Sequence, residues 1–232
     1  MRMPLPVHNN RGTSLIELML ASAIMMVGML GFYQLLSSFF ESYRLQDAIA
    51  EIQQQGRVAM GLIRMDVKRS GYDPTGLGFT TADACLPTLA PVLEATPTSF
   101  HYLSDQNEDG NFFYADTSNA CHQDSGENVR YEWIGPTGLD LAGQPHRALS
   151  LYRDSGGGLQ EVAANLSDLQ WTYFDEEGTQ FPVQSLSSSE QAEVKVVGVS
   201  FQSESASLVP LYGTENETIV RPYTLKINLR NR

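Results

Sequence analysis

The amino-acid sequence predicts an α+β fold in which one long N-terminal helix packs on an antiparallel β-sheet. Three features lead to this fold class. A nearly uncharged apolar stretch opens the chain, an amphipathic pattern with helical spacing continues it, and short alternating segments separated by glycine-rich turns fill the remainder. Helix first and strands afterwards is the order of an α+β protein, because a parallel α/β sheet needs helices between its strands.

The composition limits the classes of function. The chain has 232 residues, of which 42% are hydrophobic and 18% charged, and this suits one globular domain with an appendage. Its formal net charge is -12, so DNA phosphate would repel it and we expect no nucleic-acid partner. Two cysteines are too few for a disulfide scaffold, and they lack the close spacing of a zinc knuckle.

The first element is an apolar helix that begins near residue 15. In Leu15–Phe40 the only charged residue is Glu17, and a helix of this length could cross ~30 Å of hydrocarbon. The preceding residues include Arg2 and Arg11 and no acid, which favours a cytoplasmic N-terminus. A secretory signal has a shorter apolar region followed by a small-residue cleavage site, whereas here Gly12 precedes the apolar region.

Glu17 needs a positively charged partner, because a carboxylate inside an apolar span costs about 2.5–3.5 kcal/mol on insertion scales. Cleavage after Gly12 would create an α-amine on Thr13, which is positively charged at neutral pH. In a stack of such helices, Glu17 of one subunit could meet the amine of its neighbour and fix the stagger. The simpler alternative is an uncleaved membrane anchor, and it leaves Glu17 unexplained.

The helix continues as an amphipathic segment to about Ser70, where Gly71 and Pro74 give a stop. Apolar residues recur at spacings of three and four, at Leu45, Ala48, Ile49, Ile52, Ala59, Leu62, Ile63 and Val67. Four glycines interrupt the helix, at Gly28, Gly31, Gly56 and Gly61. We favour close packing over local melting as the reason for them.

Residues 12–21 (GTSLIELMLA) resemble the class III signal of type IV prepilins. The resemblance implies that prepilin peptidase cleaves between Gly12 and Thr13, that Thr13 is N-methylated, and that Glu17 guides assembly into a pilus. The family usually has phenylalanine at the position of Thr13. Loss of residues 1–12 removes two basic residues and no acid, so the formal net charge changes from -12 to -14.

Two further segments resemble the PilW group of minor pilins, Tyr43–Tyr72 with its Gly-Arg pair and Tyr223–Arg232 with its closing Leu-Arg-Asn-Arg. The resemblance covers residues 11–72 and 223–232. It implies a type IV pilin-like fold and a minor pilin that joins other minor pilins and the major pilin in priming the pilus. It also implies an inner-membrane, single-pass protein with a periplasmic C-terminal domain that later enters the pilus at the cell surface.

These inferences divide the chain into four parts. Residues 1–12 form a cytoplasmic leader, and residues 13–40 form a helix for the membrane and the filament core. Residues 41–72 continue the helix in amphipathic form, and residues 73–232 form a periplasmic β-rich domain.

Six strands are predicted in the β-rich domain from alternation and β-branched or aromatic content. They are Thr98–Leu103, Asn128–Ile134, Ala148–Arg153, Leu169–Phe174, Val194–Phe201 and Tyr223–Leu229. Turns are predicted at Asp154–Gly158 (DSGGG) and Asp175–Gly178 (DEEG), and a flexible loop at Ser185–Ser189 (SLSSS).

An enzymatic function is not expected. The sequence has no G-x-S-x-G, no phosphate-cradling G-x-x-x-x-G-K and no H-E-x-x-H. Its histidines are scattered, and we expect His101 to be a sheet residue rather than a ligand. His122 with the two cysteines makes an incomplete zinc set.

Two alternatives to a minor pilin stay open on the sequence alone. A minor pseudopilin of a type II secretion system would share the signal and the architecture. A pilus-borne or membrane-tethered ligand-binding or adhesive module is the second alternative, because the globular part is polar and rich in loops. Genes for pilus assembly or for secretion beside this one would separate the first alternative from a minor pilin.

Cys85 and Cys121 are expected to form a disulfide. The globular part follows a membrane span with a cytoplasmic leader, so it belongs in the oxidising periplasm. With two cysteines in that compartment, a bridge is the expected state, and two unpaired, partly buried thiols are the alternative.

The loop Ser104–Asp116 (SDQNEDGNFFYAD) has the spacing of a calcium-binding loop, D-x-[DN]-x-[DN]-G. The candidate calcium ligands are Asp105, Asn107, Asp109, Asn111 and Asp116. Asp116 stands where such loops have glutamate, and Asp124 or Glu127 could complete the shell. The alternative is a solvated acidic turn, since Asp-Gly is also a common hairpin signal. No cofactor other than Ca²⁺ is expected.

Overall fold

The protein is described by a computed structural model that covers residues 14–76, 78–79, 90–115, 121–123, 126–205 and 218–229. The chain divides into two compact units, the first ending at Gln46 and the second beginning at Asp47. Helix α1, Leu15–Arg69, contributes to both units. The remaining elements all lie in the second unit, which confirms the predicted order of one long helix followed by antiparallel strands.

The second unit contains ten strands and one short helix within the described residues. They are β1 Val92–Ala95, β2 Ser99–Leu103, β3 Phe113–Ala115, β4 Cys121–Gln123, β5 Asn128–Ile134, β6 Ser150–Asp154, β7 Gln160–Ala163, β8 Leu166–Phe174, α2 Ser188–Glu193, β9 Val196–Glu204 and β10 Val220–Asn228.

Helix α1 ends close to the predicted position. The amide of Ser70 donates to the Asp66 carbonyl at 3.2 Å, and Gly71 then adopts a positive φ of 75°. The amide of Gly71 donates to the carbonyl of Leu103 at 2.8 Å, so the chain leaves the helix bonded to the end of β2. Lys68 and Arg69 occupy the last turn, where the negative end of the helix dipole favours cations.

The strands form three antiparallel groups rather than one continuous sheet. Five strands lie in the order β1-β2-β5-β6-β7, three in the order β10-β9-β8, and β3 pairs with β4. The chain passes from the five-stranded to the three-stranded sheet at Asn165, whose φ is 53°. The amide of the next residue, Leu166, donates to the carbonyl of Leu149 at 2.7 Å, which ties the start of β8 to the start of β6.

The core of the second unit lies between one face of α1 and the two larger sheets. Ala59, Ile63 and Val67 are fully buried, at the helical spacing that the sequence predicts. Aromatic rings fill the centre, with the Phe100 and Trp171 centroids 5.3 Å apart. Trp171 belongs to β8, where Leu169, Trp171 and Tyr173 alternate along the strand and are all buried.

A buried ionic contact fixes α1 to the five-stranded sheet. Asp66 is fully buried, and its Oδ2 accepts hydrogen bonds from Tyr131 Oη on β5 and from Arg153 Nε on β6, both at 2.7 Å. Burial raises the pKa of the Tyr131 hydroxyl, and the negative charge of Asp66 raises it further. The tyrosine therefore stays protonated and remains a donor to the carboxylate at neutral pH.

Glycine at position 56 is explained by close packing, as favoured from the sequence. The ring of Tyr223 on β10 lies directly over Gly56, where a Cβ atom would overlap its carbon atoms and lie 2.7 Å from Oη. Tyr223 Oη donates to the carbonyl of Ile52 at 3.4 Å. No atom comes within 4 Å of a Cβ built on Gly28, Gly31 or Gly61, within the residues that the structure describes.

All six predicted strands are present, with bounds that differ by a few residues. The four strands that the sequence did not predict are short, since β1 and β7 have four residues and β3 and β4 have three. Both predicted turns are confirmed: Asp154 Oδ1 accepts from the amides of Gly156 and Gly158, and Asp175 Oδ1 accepts from Thr179.

The prediction of a flexible loop over Ser185–Ser189 is wrong at its end. Ser187 caps α2, with its Oγ accepting from the amide of Glu190 and its own amide donating to Glu190 Oε2 at 2.7 Å. This reciprocal capping box satisfies two backbone groups and starts the helix. The Ser-x-x-Glu spacing was present in the sequence, within a serine-rich stretch that resembled a linker.

Replacing Asp66 by alanine should lower the free energy of unfolding by about 3 kcal/mol, because it leaves Arg153 without its buried partner. This is the low end of the range for buried ion pairs, since the side chain of Arg153 remains 22% exposed. Urea denaturation of the detergent-solubilised full chain measures the change, and Glu176→Ala in an exposed turn is the control. A loss under about 1 kcal/mol, as for an exposed pair, would contradict a structural role for this contact.

Candidate functional site

The first unit contains an apolar helical segment whose side chains are exposed within the described residues. From Leu15 to Leu36 every side chain is exposed, with Leu15 and Ile16 each 77% exposed. By length and composition, this is the one helix of the described chain that could cross a membrane. An exposed apolar surface of this length is unfavourable in water, so a lipid phase or other subunits must cover it.

Glu17 lies in the first turn of this helix, as the sequence predicts. Its amide donates to the carbonyl of Ser14 at 3.0 Å, and its side chain is exposed among apolar neighbours. Among the described residues, no cation lies within ion-pair distance of its carboxylate. Gly12 and Thr13, on which cleavage and methylation depend, lie outside the described residues, so both modifications stay predictions.

The acidic loop after β2 is held by its own side chains. Asp105 is fully buried, and its two carboxylate oxygens accept from the amides of Glu108, at 2.7 Å, and Gly110, at 3.1 Å. The side-chain oxygens of Asn107 and Asp109 accept from amides two residues ahead, at 2.9 and 2.8 Å. The predicted alternation of Asp105, Asn107 and Asp109 is therefore present, and a side-chain oxygen of each of these three residues also accepts from a backbone amide of the turn.

A more distant residue joins this loop. Glu127 is 1% exposed, and its Oε1 accepts from the amides of Gln106 and Asn107 at 2.8 and 2.7 Å. One carboxylate oxygen from each of Asp105, Asp109 and Glu127 lies within 4.8 Å of the other two. Three carboxylates at this separation repel one another unless amides or a cation compensate their charge.

The structure thus brings part of the predicted calcium set together. Asp105 and Asp109 lie in the cluster, and Glu127, one of the two candidates for completing the shell, is its third member. Asn111 lies at the edge of the loop, where its Nδ2 donates to the carbonyl of Asp109 at 3.3 Å. Asp116 lies outside the described residues. Calcium binding stays a prediction.

The remaining predicted residues are placed as follows. Cys85 lies outside the described residues, and Cys121 begins β4, where its backbone pairs with Ala115. The disulfide therefore stays a prediction.

His101 is on β2 in contact with Asn128 Oδ1, as expected for a sheet residue, and burial lowers the pKa of its ring. His146 Nε2 lies 3.1 Å from Asp140 Oδ2 in the loop before β6.

Calcium at 10 mM should raise the melting temperature of the detergent-solubilised full chain by roughly 3–6 °C, if the affinity is about 10⁻³ M as in weak extracellular sites. Asp109→Asn should abolish the rise, because Asp109 contributes an exposed carboxylate to the cluster whereas Asp105 also holds the backbone. Asp175→Asn, in a different acidic turn, should leave the rise intact. A wild-type transition that calcium does not move would show that hydrogen bonds alone hold this loop.

Comparison with known proteins identifies the N-terminal segment. Residues 7–33 match the family model for the prokaryotic N-terminal methylation motif. The match contains the predicted cleavage position, Glu17 and the first part of the exposed apolar helix. No curated protein sequence matches the chain.

This motif is the class III signal of type IV pilin-like proteins, and it implies processing by a prepilin peptidase and association with the membrane. The long apolar helix followed by an antiparallel β-domain agrees with a pilin-like α+β fold. Together, the motif and the architecture indicate a type IV pilin-like or pseudopilin-type protein.

Proposed function

We propose that this chain is a PilW-like minor pilin that takes part in priming and assembling the type IV pilus. One observation carries the proposal. The methylation motif overlaps the start of an apolar helix whose side chains from Leu15 to Leu36 are all exposed within the described residues, with one carboxylate in its first turn. The helix is held in the inner membrane first and is covered by other subunits after assembly.

Glu17 gives the assembly its register. After cleavage, the α-amine of Thr13 carries a positive charge in the same apolar environment that disfavours an isolated carboxylate. A neighbouring subunit at the correct stagger supplies that amine to Glu17, and any other stagger leaves both charges unpaired. The role of the helix is structural, and no catalytic function is proposed for the chain.

The assignment to the PilW group is supported by how the two resembling segments pack. The Gly-Arg pair of the first segment contains Gly56, and Tyr223, at the start of the second segment, lies over it. The ring fits only where position 56 has no side chain, so in this chain the packing of the second segment depends on the first. The major pilin, other minor pilins and prepilin peptidase are the proposed partners.

Processing should remove residues 1–12. Intact-mass measurement of the protein extracted from membranes should give a chain that begins at Thr13 and carries one methyl group. Gly12→Leu should leave the leader in place, because the peptidase must accommodate the residue before the cut. A wild-type chain that still begins at Met1 in cells with active prepilin peptidase would refute the proposal.

Replacing Glu17 by alanine should leave insertion and cleavage intact and reduce the recovery of this subunit in sheared pili by about tenfold, since an unpaired amine in an apolar environment is unfavourable. Glu41→Ala, an acid at the end of the apolar segment, is the matched control. Pilus numbers and type II secretion are measured in the same strains. A secretion defect with normal pili would indicate the pseudopilin alternative instead.

A further inference from the structure

One edge of the five-stranded sheet is formed by β7. Within the described residues β7 pairs with β6 alone, so its other edge has no strand beside it. The register shifts within the pair: Leu151 pairs with Ala163, and the next residue of β6 pairs with Glu161, so Val162 has no partner on β6. The strand contains neither proline nor lysine, which often block a free edge. Its backbone can therefore pair with one more strand.

A cleft of about 390 Å³ lies between β7 and helix α1. This volume is in the range of ligand pockets. On the strand side the cleft is lined by Ala163 and Ala164, whose small side chains leave room for the backbone of an incoming chain. The helix side presents residues at spacings of three and four, which are Glu51, Gln54, Gln55 and Val58. These six residues define the β7 cleft.

The helix side of the β7 cleft suits a peptide backbone. Gln54 is exposed and Gln55 is half-buried, and a glutamine amide both donates and accepts hydrogen bonds. These two side chains can therefore bond with the N–H and C=O groups of an incoming chain. Val58 is 51% exposed and offers an apolar contact for a side chain on one face of that chain. Side chains of an added strand alternate between its two faces, so one face can meet the helix.

The charges beside the cleft favour a cation on the incoming chain. Arg147 Nη1 lies 3.5 Å from Glu161 Oε1, and its Nη2 donates to Asn165 Oδ1 at 3.3 Å, so Arg147 and Glu161 compensate each other. Glu51 accepts from Gln55 Nε2 at 3.3 Å and has no cation within ion-pair distance among the described residues. A Lys or Arg beside Glu51 would complement its charge.

We propose that the β7 cleft binds an extended segment of a partner protein, which adds to β7 as a strand and places a Lys or Arg beside Glu51. The edge of β7 selects an extended chain, because its backbone groups have the spacing of another strand and a helix cannot pair with them. The formal net charge of -12 disfavours a second copy as the occupant. The inference goes beyond the proposed function, since it does not depend on which filament the chain enters.

Selection from a random heptapeptide library displayed on phage tests the proposal, with the detergent-solubilised full chain as the target. The selected peptides should alternate β-branched or aromatic residues with other residues, contain Lys or Arg, and lack proline. One selected peptide is then synthesised with a fluorescent label, and fluorescence anisotropy gives its dissociation constant. A library that yields no binding peptide would overturn the proposal.

Methylation of the peptide backbone distinguishes strand addition from other modes of binding. Alternate residues of an added strand direct their N–H groups toward its neighbour. N-methylation of one alternate set of peptide amides should therefore weaken binding about tenfold or more, whereas methylation of the other set should have a much smaller effect. Bound peptide should also slow hydrogen exchange in Gln160–Ala163. Equal effects of the two methylated sets, or unchanged exchange in this segment, would refute strand addition.

Two variants locate the binding to the cleft. Val58→Trp should weaken binding of the peptide about tenfold, because the larger ring fills the cleft, and its exposed site should leave the melting temperature unchanged. Val183→Trp is the matched control, since Val183 is 53% exposed and lies outside the cleft. Equal dissociation constants for Val58→Trp and wild type would place the peptide elsewhere and overturn the proposal.

A charge exchange tests the cation beside Glu51. Glu51→Lys should weaken binding several-fold, and a peptide whose Lys or Arg is replaced by Glu should regain the affinity for this variant. Glu193→Lys, at an exposed position of α2, should leave both peptides unaffected. Loss of binding without recovery by the exchanged peptide would contradict the predicted place of the cation.

The outcomes are distinct for this inference and for the proposed function. A chain that is processed and recovered in pili, but whose peptides fail the backbone test, would keep the proposed function and reject the β7 cleft. A chain that still begins at Met1 in cells with active prepilin peptidase, but binds peptides with the alternating pattern, would support the β7 cleft and reject the pilus function.

Discussion

The fully buried carboxylate of Asp66 constrains the rest of the second unit. It must face Tyr131 and Arg153, because a carboxylate at this depth without its donors would be strongly destabilising. This requirement fixes the rotation of α1 about its own axis. With Asp66 turned to the sheet, Ile63 enters the core and Gly61 faces outward. The orientation of the outer face of the helix is thus set by a polar contact on its inner face.

The long elements followed from the sequence, whereas the connections between them did not. The helix is long and strongly periodic, and its stop at Gly71 is a local signal, so both could be predicted. The short strands β3 and β4 have three residues each, too few to show a period. The division into two larger sheets depends on a positive φ at Asn165, a position with no distinctive sequence pattern.

In the candidate sites too, features made by residues close along the chain could be predicted, whereas features made by distant residues could not. Glu17 and its distance from Gly12 form a local pattern, so the N-terminal motif was visible in the sequence. The acidic loop was visible only in part, because Asp105 and Asp109 are close along the chain and Glu127 joins them from a different strand connection. The spacing also could not reveal that amides of the loop already occupy the oxygens of Asp105.

The packing of Tyr223 over Gly56 has a consequence for the order in which the protein is made. The hydrogen bond from Tyr223 to Ile52 joins residues 171 positions apart, and β10 follows every other described strand along the chain. The helix is therefore complete, and its groove at Gly56 is open, while the other described strands are synthesised. Contacts between such distant residues form late and slowly, because a long loop must close first. Until β10 pairs with β9 and brings Tyr223 over Gly56, this groove stays open to chaperones and proteases, so the docking of β10 closes the helix surface of the second unit.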